Sequence, residues 1–509
     1  MMSQRKARKI GIFSALSICI GSVVGIGIFL KNGSVGANVN GNGWTWIMTW
    51  AVAGVIALLV AVHFGKISKL EVKNSVAGLS SWADEVTTEK QKWFHKIVSF
   101  NYGFFYLSIL TLVLSFFTTE LLVRFLQKID GTIQLDVWAY VLISLGFLAI
   151  FITTNFLSYR VSGWIASLTV VLKFIPLLLV VVVGIVLPNT HNKIDTTTGL
   201  PSTVNGFNIP ITFAGAIQGM MLSIPSVLFA FDAFIGVGAL TKQVKGGDKT
   251  VSLAIVFGML FVTVIYILIA LASAFHFFGK NTTVDNVLID ALPAGADNGI
   301  ATFVLFFLFI SAYGTTNAIT AVTVKEFEYI CQENRAVFTK SLLKKFGARI
   351  GGLILLVVTL TFWGVATFVP AIVINSDAVL DGMSNLVVVY FFVVYITLIY
   401  MFWKNVYLKD ETFHQNKSKT GYTILVWVTI LSVTVALLTN FVYVIKDAVE
   451  KGAVKSKNWG LFADGDGISN LYVLVAYLIM TPAFLLLPFI NSFFMKKGTL
   501  KGQIIYKLN

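Results

Sequence analysis

Long apolar runs recur along the whole sequence, and they constrain the fold more than any other feature. Each run holds few charged residues and is long enough, as a helix, to cross a hydrocarbon layer of ~30 Å. The predicted spans are 10–31, 44–66, 97–126, 136–156, 160–187, 211–240, 251–278, 299–323, 347–371, 375–403, 420–446 and 469–495. We therefore expect an all-α polytopic membrane protein with 12 transmembrane helices.

The composition supports a membrane protein and excludes a water-soluble enzyme. Hydrophobic residues make up 57% of the 509 residues and charged residues only 12%, against about 45–50% and about 25% in soluble domains. Cys19 and Cys331 are too few for a disulfide framework or a zinc cluster. We therefore predict no metal site, no cofactor and no catalytic residue.

The net charge of +14 is explained by orientation in the membrane. Most of the 38 Lys and Arg residues lie in tails and loops on one side of the membrane, whereas Lys31, the last residue of the first predicted span, is counted on the opposite side. Because cytoplasmic loops carry the excess of Lys and Arg, both termini are expected in the cytoplasm, with the protein in the cell membrane. The basic loops are expected to contact anionic lipids, and nucleic-acid binding is not expected.

The first predicted helix has an interrupted centre. Gly21, Gly25 and Gly27 lie within an otherwise apolar span, and each glycine in a helix interior costs roughly 0.5–1 kcal/mol relative to alanine. The alternative is a packing face, because Gly21 and Gly25 have the spacing of a helix-association motif. The sixth predicted helix favours an interruption, since it contains both Pro225 and Asp232. Two interrupted helices, five spans apart and of opposite orientation, are typical of an inverted-repeat transporter with a site near the midplane.

The two interruptions predict a site for a small zwitterion. The outer half of the first helix would begin near Gly25, Ile26 and Gly27, where free N–H groups and the helix dipole favour a carboxylate. Carbonyl groups near Val23 and within 229–232 would favour an ammonium group. This combination fits the backbone of an α-amino acid.

Several segments resemble the amino acid–polyamine–organocation (APC) transporters, in order and at family-like spacing. Residues 21–29 (GSVVGIGIF) resemble the helix 1 signature of that family, and 228–234 (LFAFDAF) with 240–245 resemble its helix 6 and the following loop. Residues 155–160 and 311–317 resemble the turn into helix 5 and helix 8. The resemblance covers roughly the first ten helices. It implies a LeuT-like fold of two inverted five-helix repeats plus two C-terminal helices.

This fold predicts the organisation of the chain. The expected segments are a cytoplasmic N-terminal tail (1–9), a first repeat (10–187), a second repeat (211–403), helices 11 and 12 (420–495) and a cytoplasmic C-terminal tail (496–509).

The resemblance also implies contacts for single residues. The substrate carboxylate would meet the N–H groups of Ile26 and Gly27, and the amine would meet the carbonyls of Val23, Phe229 and Asp232. Phe229 or Phe231 would close over the substrate as an aromatic gate. The chain departs from the family pattern in four places. Glycine is usual where Ala233 stands, an acidic residue where Gln243 stands and proline where Gly247 stands. The acidic motif common at the end of helix 2 is replaced by residues 62–66 (VHFGK).

Lys173 lies at the centre of the fifth predicted helix, ~20 Å from either end. A charge at that depth costs at least ~2.5–3.5 kcal/mol on insertion scales. Because loss of hydration disfavours the charged form, a lysine at this depth is suited to load and release a proton. The alternative is a structural lysine paired with a carboxylate. In proton-coupled members of the resembled family a helix 5 lysine replaces a sodium ion. This implies contacts with carbonyls near Gly21 and with a helix 8 hydroxyl, Ser311 or Thr315.

Asp232 has three roles open to it on sequence grounds. Its carboxylate could attract a cationic substrate side chain, pair with Lys173, or cap the inner half of the sixth helix.

The predicted function is that of a secondary amino acid permease, not an enzyme, working by alternating access with proton symport through Lys173. The alternative within this class is an amino acid exchanger that moves no net proton. From other classes, a channel would need a polar stripe along a pore, and a membrane-embedded enzyme would need paired catalytic groups at depth. Neither pattern is found. The expected partners are an amino acid, protons and membrane lipids.

Overall fold

The structure is a computed structural model that describes residues 11–70, 78–187, 205–235, 247–277, 284–292, 297–410, 413, 419–456 and 468–508. Its α-helices are α1 (Ile12–Val23), α2 (Ile26–Asn38), α3 (Gly43–Ile67), α4 (Leu79–Val86), α5 (Lys92–Asn101), α6 (Ser108–Ile129), α7 (Val137–Leu157), α8 (Tyr159–Val186), α9 (Phe213–Phe231), α10 (Gly247–Phe275), α11 (Val284–Ala291), α12 (Asp297–Gln332), α13 (Thr339–Val373), α14 (Ala378–Phe402), α15 (Lys419–Glu450) and α16 (Asn470–Leu508). Two π-helical turns, Tyr102–Leu107 and Trp403–Tyr407, follow α5 and α14. The predicted tail 1–9, the end of the predicted sixth span (236–240) and Gln243 lie outside the described residues.

Among the described residues, 11 helices are long and apolar enough to cross a membrane. The first predicted span is not one of them, because it is divided into α1 and α2, which have 12 and 13 residues. Each of these reaches roughly 18–20 Å, about two thirds of the hydrocarbon thickness. The all-α polytopic fold is confirmed, and the count of twelve spans stays a prediction.

The boundaries of α7 and α8 follow the apolar runs closely, whereas several other helices extend past them. The predicted span 136–156 corresponds to α7, and 160–187 corresponds to α8, with ends that differ by one residue. The ninth span begins earlier than predicted, but α13 bends at Gly347, where φ is 76°. Glycine adopts this left-handed backbone without steric penalty, so the chain changes direction where the apolar run begins.

Corresponding helices of the two predicted repeats pack against each other. α2 lies against α9, α3 against α10, and α6 against α12. In each pair the second helix comes five predicted spans after the first, as expected for repeats related by a pseudo-two-fold axis. The repeat boundaries stay predictions, and α16 continues as a helix through residues 496–508, which were expected to form a tail.

The core lies around the interrupted helices. α6 and α14 are buried along most of their length, whereas most residues in the apolar parts of α7 and α16 are half-buried or exposed. Because exposed helices in a membrane face lipid, the buried helices form the centre of the bundle. The interrupted helices α2 and α9 pack within this centre.

The side chain of Lys31, expected at the end of the first span, is buried inside the bundle. α2 continues to Asn38, beyond the predicted end at residue 31, and Lys31 is 0% exposed. Its ammonium forms a salt bridge with the Asp381 carboxylate and donates a hydrogen bond of 2.8 Å to the Ser384 hydroxyl. The helix outlasts the apolar run because its polar side chains find buried partners, as Asn38 does on Ser223 at 3.1 Å.

Candidate functional site

The first interruption lies at Val24 and Gly25, between α1 and α2. Val24 has φ −68° and ψ 104°, and Gly25 has φ −160° and ψ −146°, so neither residue is helical. A new helix start leaves its first N–H groups without helical partners. Gly25, the N-cap residue of α2, has no side chain that could cap these groups. The N–H groups of Ile26 and Gly27 therefore suit an anionic ligand.

The second interruption lies where α9 ends, at Phe231, nine residues before the predicted end of the sixth span. Asp232 has an extended backbone with φ −71° and ψ 179°, and Ala233 has a left-handed backbone with φ 71°. This backbone strains a residue with a Cβ atom and favours glycine. Ala233 therefore stands, under strain, at a position where the resembled family usually has glycine.

A small cavity lies between the two interruptions. It is lined by Val23, Gly25, Ile26, Gly27, Tyr106, Leu110, Leu114, Phe229, Asp232, Ala233, Thr315 and Ile319. Its volume is about 40 Å³, which corresponds to about three water molecules. A larger ligand therefore requires the surrounding side chains or helices to move apart.

The structure brings most of the predicted binding residues to this cavity, but not Phe231. The Phe231 ring is fully buried and packs against Tyr266 and Trp50, with ring centroids 5.0 and 6.1 Å away. Phe229 lines the cavity instead. Of the two candidate gate residues, only Phe229 therefore faces the site.

Lys173 lies beside the first interruption, on α8. Its side chain is 2% exposed, and Nζ donates to the Gly21 carbonyl at 2.7 Å and to the Thr315 hydroxyl at 2.8 Å. Thr315 in turn donates to the Ser311 carbonyl at 2.9 Å, whereas the Ser311 hydroxyl has no hydrogen-bond partner in the described ranges. Because Thr315 also lines the cavity, one hydroxyl connects Lys173 with the candidate binding site.

A comparison with known protein families gives one match that covers most of the chain. The family described as amino acid permease matches residues 10–457. The chain belongs to the amino acid permease family. Together with its apolar helices, this membership makes it a multi-pass membrane protein.

Three relatives of this permease are 25–29% identical to it over an aligned part that covers about half of this chain. It is 29% identical over 302 residues to an uncharacterized protein of Mycoplasma pneumoniae, covering 53% of this chain and 51% of the relative. It is 26% identical over 283 residues to the serine/threonine exchanger SteT of Bacillus subtilis, covering 54% and 57%. It is 25% identical over 268 residues to the mouse b(0,+)-type amino acid transporter 1, covering 52% and 50%. The aligned part spans about half the length of each relative.

Two buried tyrosines of the permease hold Asp232, and no sequence pattern singles them out. The Tyr106 hydroxyl donates to Oδ2 of Asp232 at 2.5 Å, and the Tyr395 hydroxyl donates to Oδ1 at 3.0 Å. Both carboxylate oxygens therefore accept a hydrogen bond from a tyrosine. Of the three roles left open for Asp232, pairing with Lys173 is not found, since Lys173 bonds to Gly21 and Thr315.

A third tyrosine, Tyr266 on α10, links the two interruptions. Its hydroxyl lies 3.1 Å from the carbonyl oxygen of Val23 and 3.1 Å from that of Ala230. A buried tyrosine hydroxyl needs a polar partner, and this requirement is the only sequence signal that could have pointed to these rings. It does not reveal which carbonyl or carboxylate the partner is.

Proposed function

We propose that this permease transports a small neutral amino acid by alternating access, and that protons drive transport through Lys173. The observation that carries the proposal is the position of Lys173, whose ammonium bonds to the end of α1 beside a cavity lined by free helix N–H groups. Membership of the amino acid permease family and the names of two relatives, an amino acid exchanger and an amino acid transporter, support this class of substrate.

The substrate would bind through its backbone. Its carboxylate would accept hydrogen bonds from the N–H groups of Ile26 and Gly27, with the α2 dipole adding to the attraction. Its ammonium group would donate to carbonyls near Val23 and Phe229. A carbonyl oxygen has two lone pairs, so a contact with Tyr266 leaves Val23 able to accept another bond.

The contacts of Asp232 favour a neutral substrate over a cationic one. Tyr106 and Tyr395 each donate to one carboxylate oxygen, and Asp232 is 5% exposed. A cationic side chain would have to displace a tyrosine or share an oxygen with it.

Proton coupling would act on the position of α1. Charged Lys173 makes two charge-assisted bonds, to Gly21 and Thr315. Such bonds are roughly twice as strong as those between neutral groups, so loss of the proton would weaken the attachment of α1 to α8 and α12. Because α1 ends at the cavity, its release would change access to the substrate.

The test is uptake of labelled amino acids into proteoliposomes, with and without an inward acid gradient. We expect a neutral amino acid to be taken up faster with the gradient. Lys173→Ala is expected to lose this stimulation while it retains counterflow, and Lys344→Ala, at an exposed position, serves as the control. Absence of uptake for every amino acid under both conditions would refute the transport proposal.

The same assay separates the proposal from exchange without net proton movement, which the name of the Bacillus subtilis relative favours. An exchanger would need amino acid inside the vesicles and would not respond to the acid gradient. Neither the unmodified protein nor Lys173→Ala would then show stimulation by the acid gradient, and both would keep counterflow.

A further inference from the structure

A second cavity lies on the lipid-facing side of the bundle, apart from the interrupted helices. Its volume is about 300 Å³, and it is formed by the end of α5, the π-helical turn that follows, α13 and α16. Phe104, Phe105 and Trp363 form its apolar wall. Val358 and Phe362 are 61% and 60% exposed at its mouth, so the cavity opens toward the hydrocarbon of the membrane.

Asn101 brings an unsatisfied acceptor to this apolar cavity. The residue lines the cavity and is 0% exposed. Its side-chain nitrogen donates to the Phe484 carbonyl at 2.7 Å, which orients the amide. Its side-chain oxygen has no hydrogen-bond partner within the described ranges. The desolvation of such an acceptor is uncompensated, and a bound molecule that supplies a donor would satisfy this oxygen once the neighbouring side chains give access to it.

The other polar groups around the cavity already have partners. The Thr359 hydroxyl donates to the Leu355 carbonyl at 2.8 Å, and the Trp363 indole N–H donates to the Phe104 carbonyl. A ligand therefore needs a single donor near Asn101, and the rest of it must be apolar.

We propose that this cavity binds a membrane lipid that carries a hydroxyl group. The hydroxyl donates to the side-chain oxygen of Asn101, and the hydrocarbon part fills the space against Phe104, Phe105 and Trp363. The site goes beyond the proposed transport function. The cavity is connected to the candidate substrate site, because the π-helical turn that lines the cavity also carries Tyr106, which bonds to Asp232.

The site is tested by photolabelling the full chain in proteoliposomes with a photoreactive long-chain alcohol. Labelled residues are mapped by mass spectrometry, and we expect them on the cavity-facing parts of α5, α13 and α16. Val358→Trp fills the mouth of the cavity and is expected to abolish this labelling. Val357→Trp is the matched control, since Val357 is the adjacent residue, 49% exposed and absent from the cavity lining.

The role of Asn101 is tested on the unmodified protein by competition between a long-chain alcohol and its methyl ether. The ether keeps the chain but lacks the donor, so we expect it to compete about fivefold less well. Asn101→Leu is expected to remove this difference between the two competitors. Equal competition by alcohol and ether on the unmodified protein would overturn the proposal, as would equal loss of labelling in Val357→Trp or labelling of the unmodified protein outside the cavity.

Discussion

The hydroxyl group of Tyr266 lies 3.1 Å from the carbonyl oxygen of Val23, the last residue of α1. The same hydroxyl lies 3.1 Å from the Ala230 carbonyl, in the last turn of α9. One side chain therefore joins the open ends of both interrupted helices. Its single proton is shared by two carbonyls that a continuous helix would have paired with its own N–H groups.

Tyr266→Phe is expected to destabilise the permease by about 1–3 kcal/mol, because two buried carbonyls lose their donor. The ring remains, so packing against Trp50 and Phe231 is kept. The measurement is the melting temperature of the purified protein in detergent. Tyr472→Phe, on a residue that is 62% exposed, is the control and should leave the melting temperature unchanged. Equal behaviour of the two variants would contradict the linking role.

Gly27→Ala is expected to separate α2 from α9 and to abolish uptake. A Cβ atom at Gly27 would lie 2.5 Å from the Cα atom of Ala230, which belongs to a helix backbone and cannot rotate away. Such overpacking costs about 1–3 kcal/mol and also displaces the N–H groups at the cavity. Gly146→Ala is the control, since nothing lies within 4 Å of its added Cβ. Normal uptake by Gly27→Ala would show that the close approach of the helices is not required.

Asp232→Asn and Asp232→Leu are expected to lower the stability of the protein to different extents. Neither substitution is expected to change the preference for neutral amino acids. Leucine strands the Tyr106 and Tyr395 hydroxyls at a cost of about 1–3 kcal/mol each, whereas asparagine keeps one acceptor oxygen and strands only one of them. We therefore expect the leucine variant to melt at a lower temperature than the asparagine variant. Competition assays should show neutral amino acids still bound by Asp232→Asn. Selective loss of a cationic amino acid in this variant would refute the neutral-substrate proposal.

Ala233→Gly is expected to stabilise the protein by up to about 1 kcal/mol, because glycine relieves the left-handed backbone at φ 71°. The same exchange in a regular helix has the opposite sign. Ala51→Gly, in α3, should destabilise by about 0.5–1 kcal/mol. The melting temperatures of both variants test whether the two substitutions change stability in opposite directions. A lower melting temperature for Ala233→Gly would show that the backbone at this residue is not strained.

Loss of either partner of the Lys31–Asp381 salt bridge is expected to destabilise the protein by about 3–5 kcal/mol, because both side chains are fully buried. The double variant Lys31→Met, Asp381→Leu should recover most of this loss, since neither member of the pair is left as an unpaired charge. A double-mutant cycle on unfolding measures the coupling. The exposed pair of Lys325 and Glu328 is the comparison, with at most about 1 kcal/mol. Additive single effects would show that the buried pair is not coupled.

The sequence predicted the helical fold and the location of the first interruption well. A polypeptide in hydrocarbon must satisfy its backbone polar groups internally, so every long apolar run has to become a helix. For the same reason, three glycines within the run 10–31 indicated where the backbone hydrogen bonds of this helix are interrupted. In the structure the interruption lies at Val24 and Gly25. These properties depend on residues that are close in the chain.

The contacts at the centre of the bundle were decided by tertiary structure alone. Lys31 and Asp381, Tyr106 and Asp232, and Tyr266 and Val23 are pairs of residues far apart in the chain. Apolar periodicity does not specify which helix faces which, or how each is rotated about its axis. A buried polar side chain takes the partner that packing brings within about 3 Å, and only the assembled bundle determines that partner.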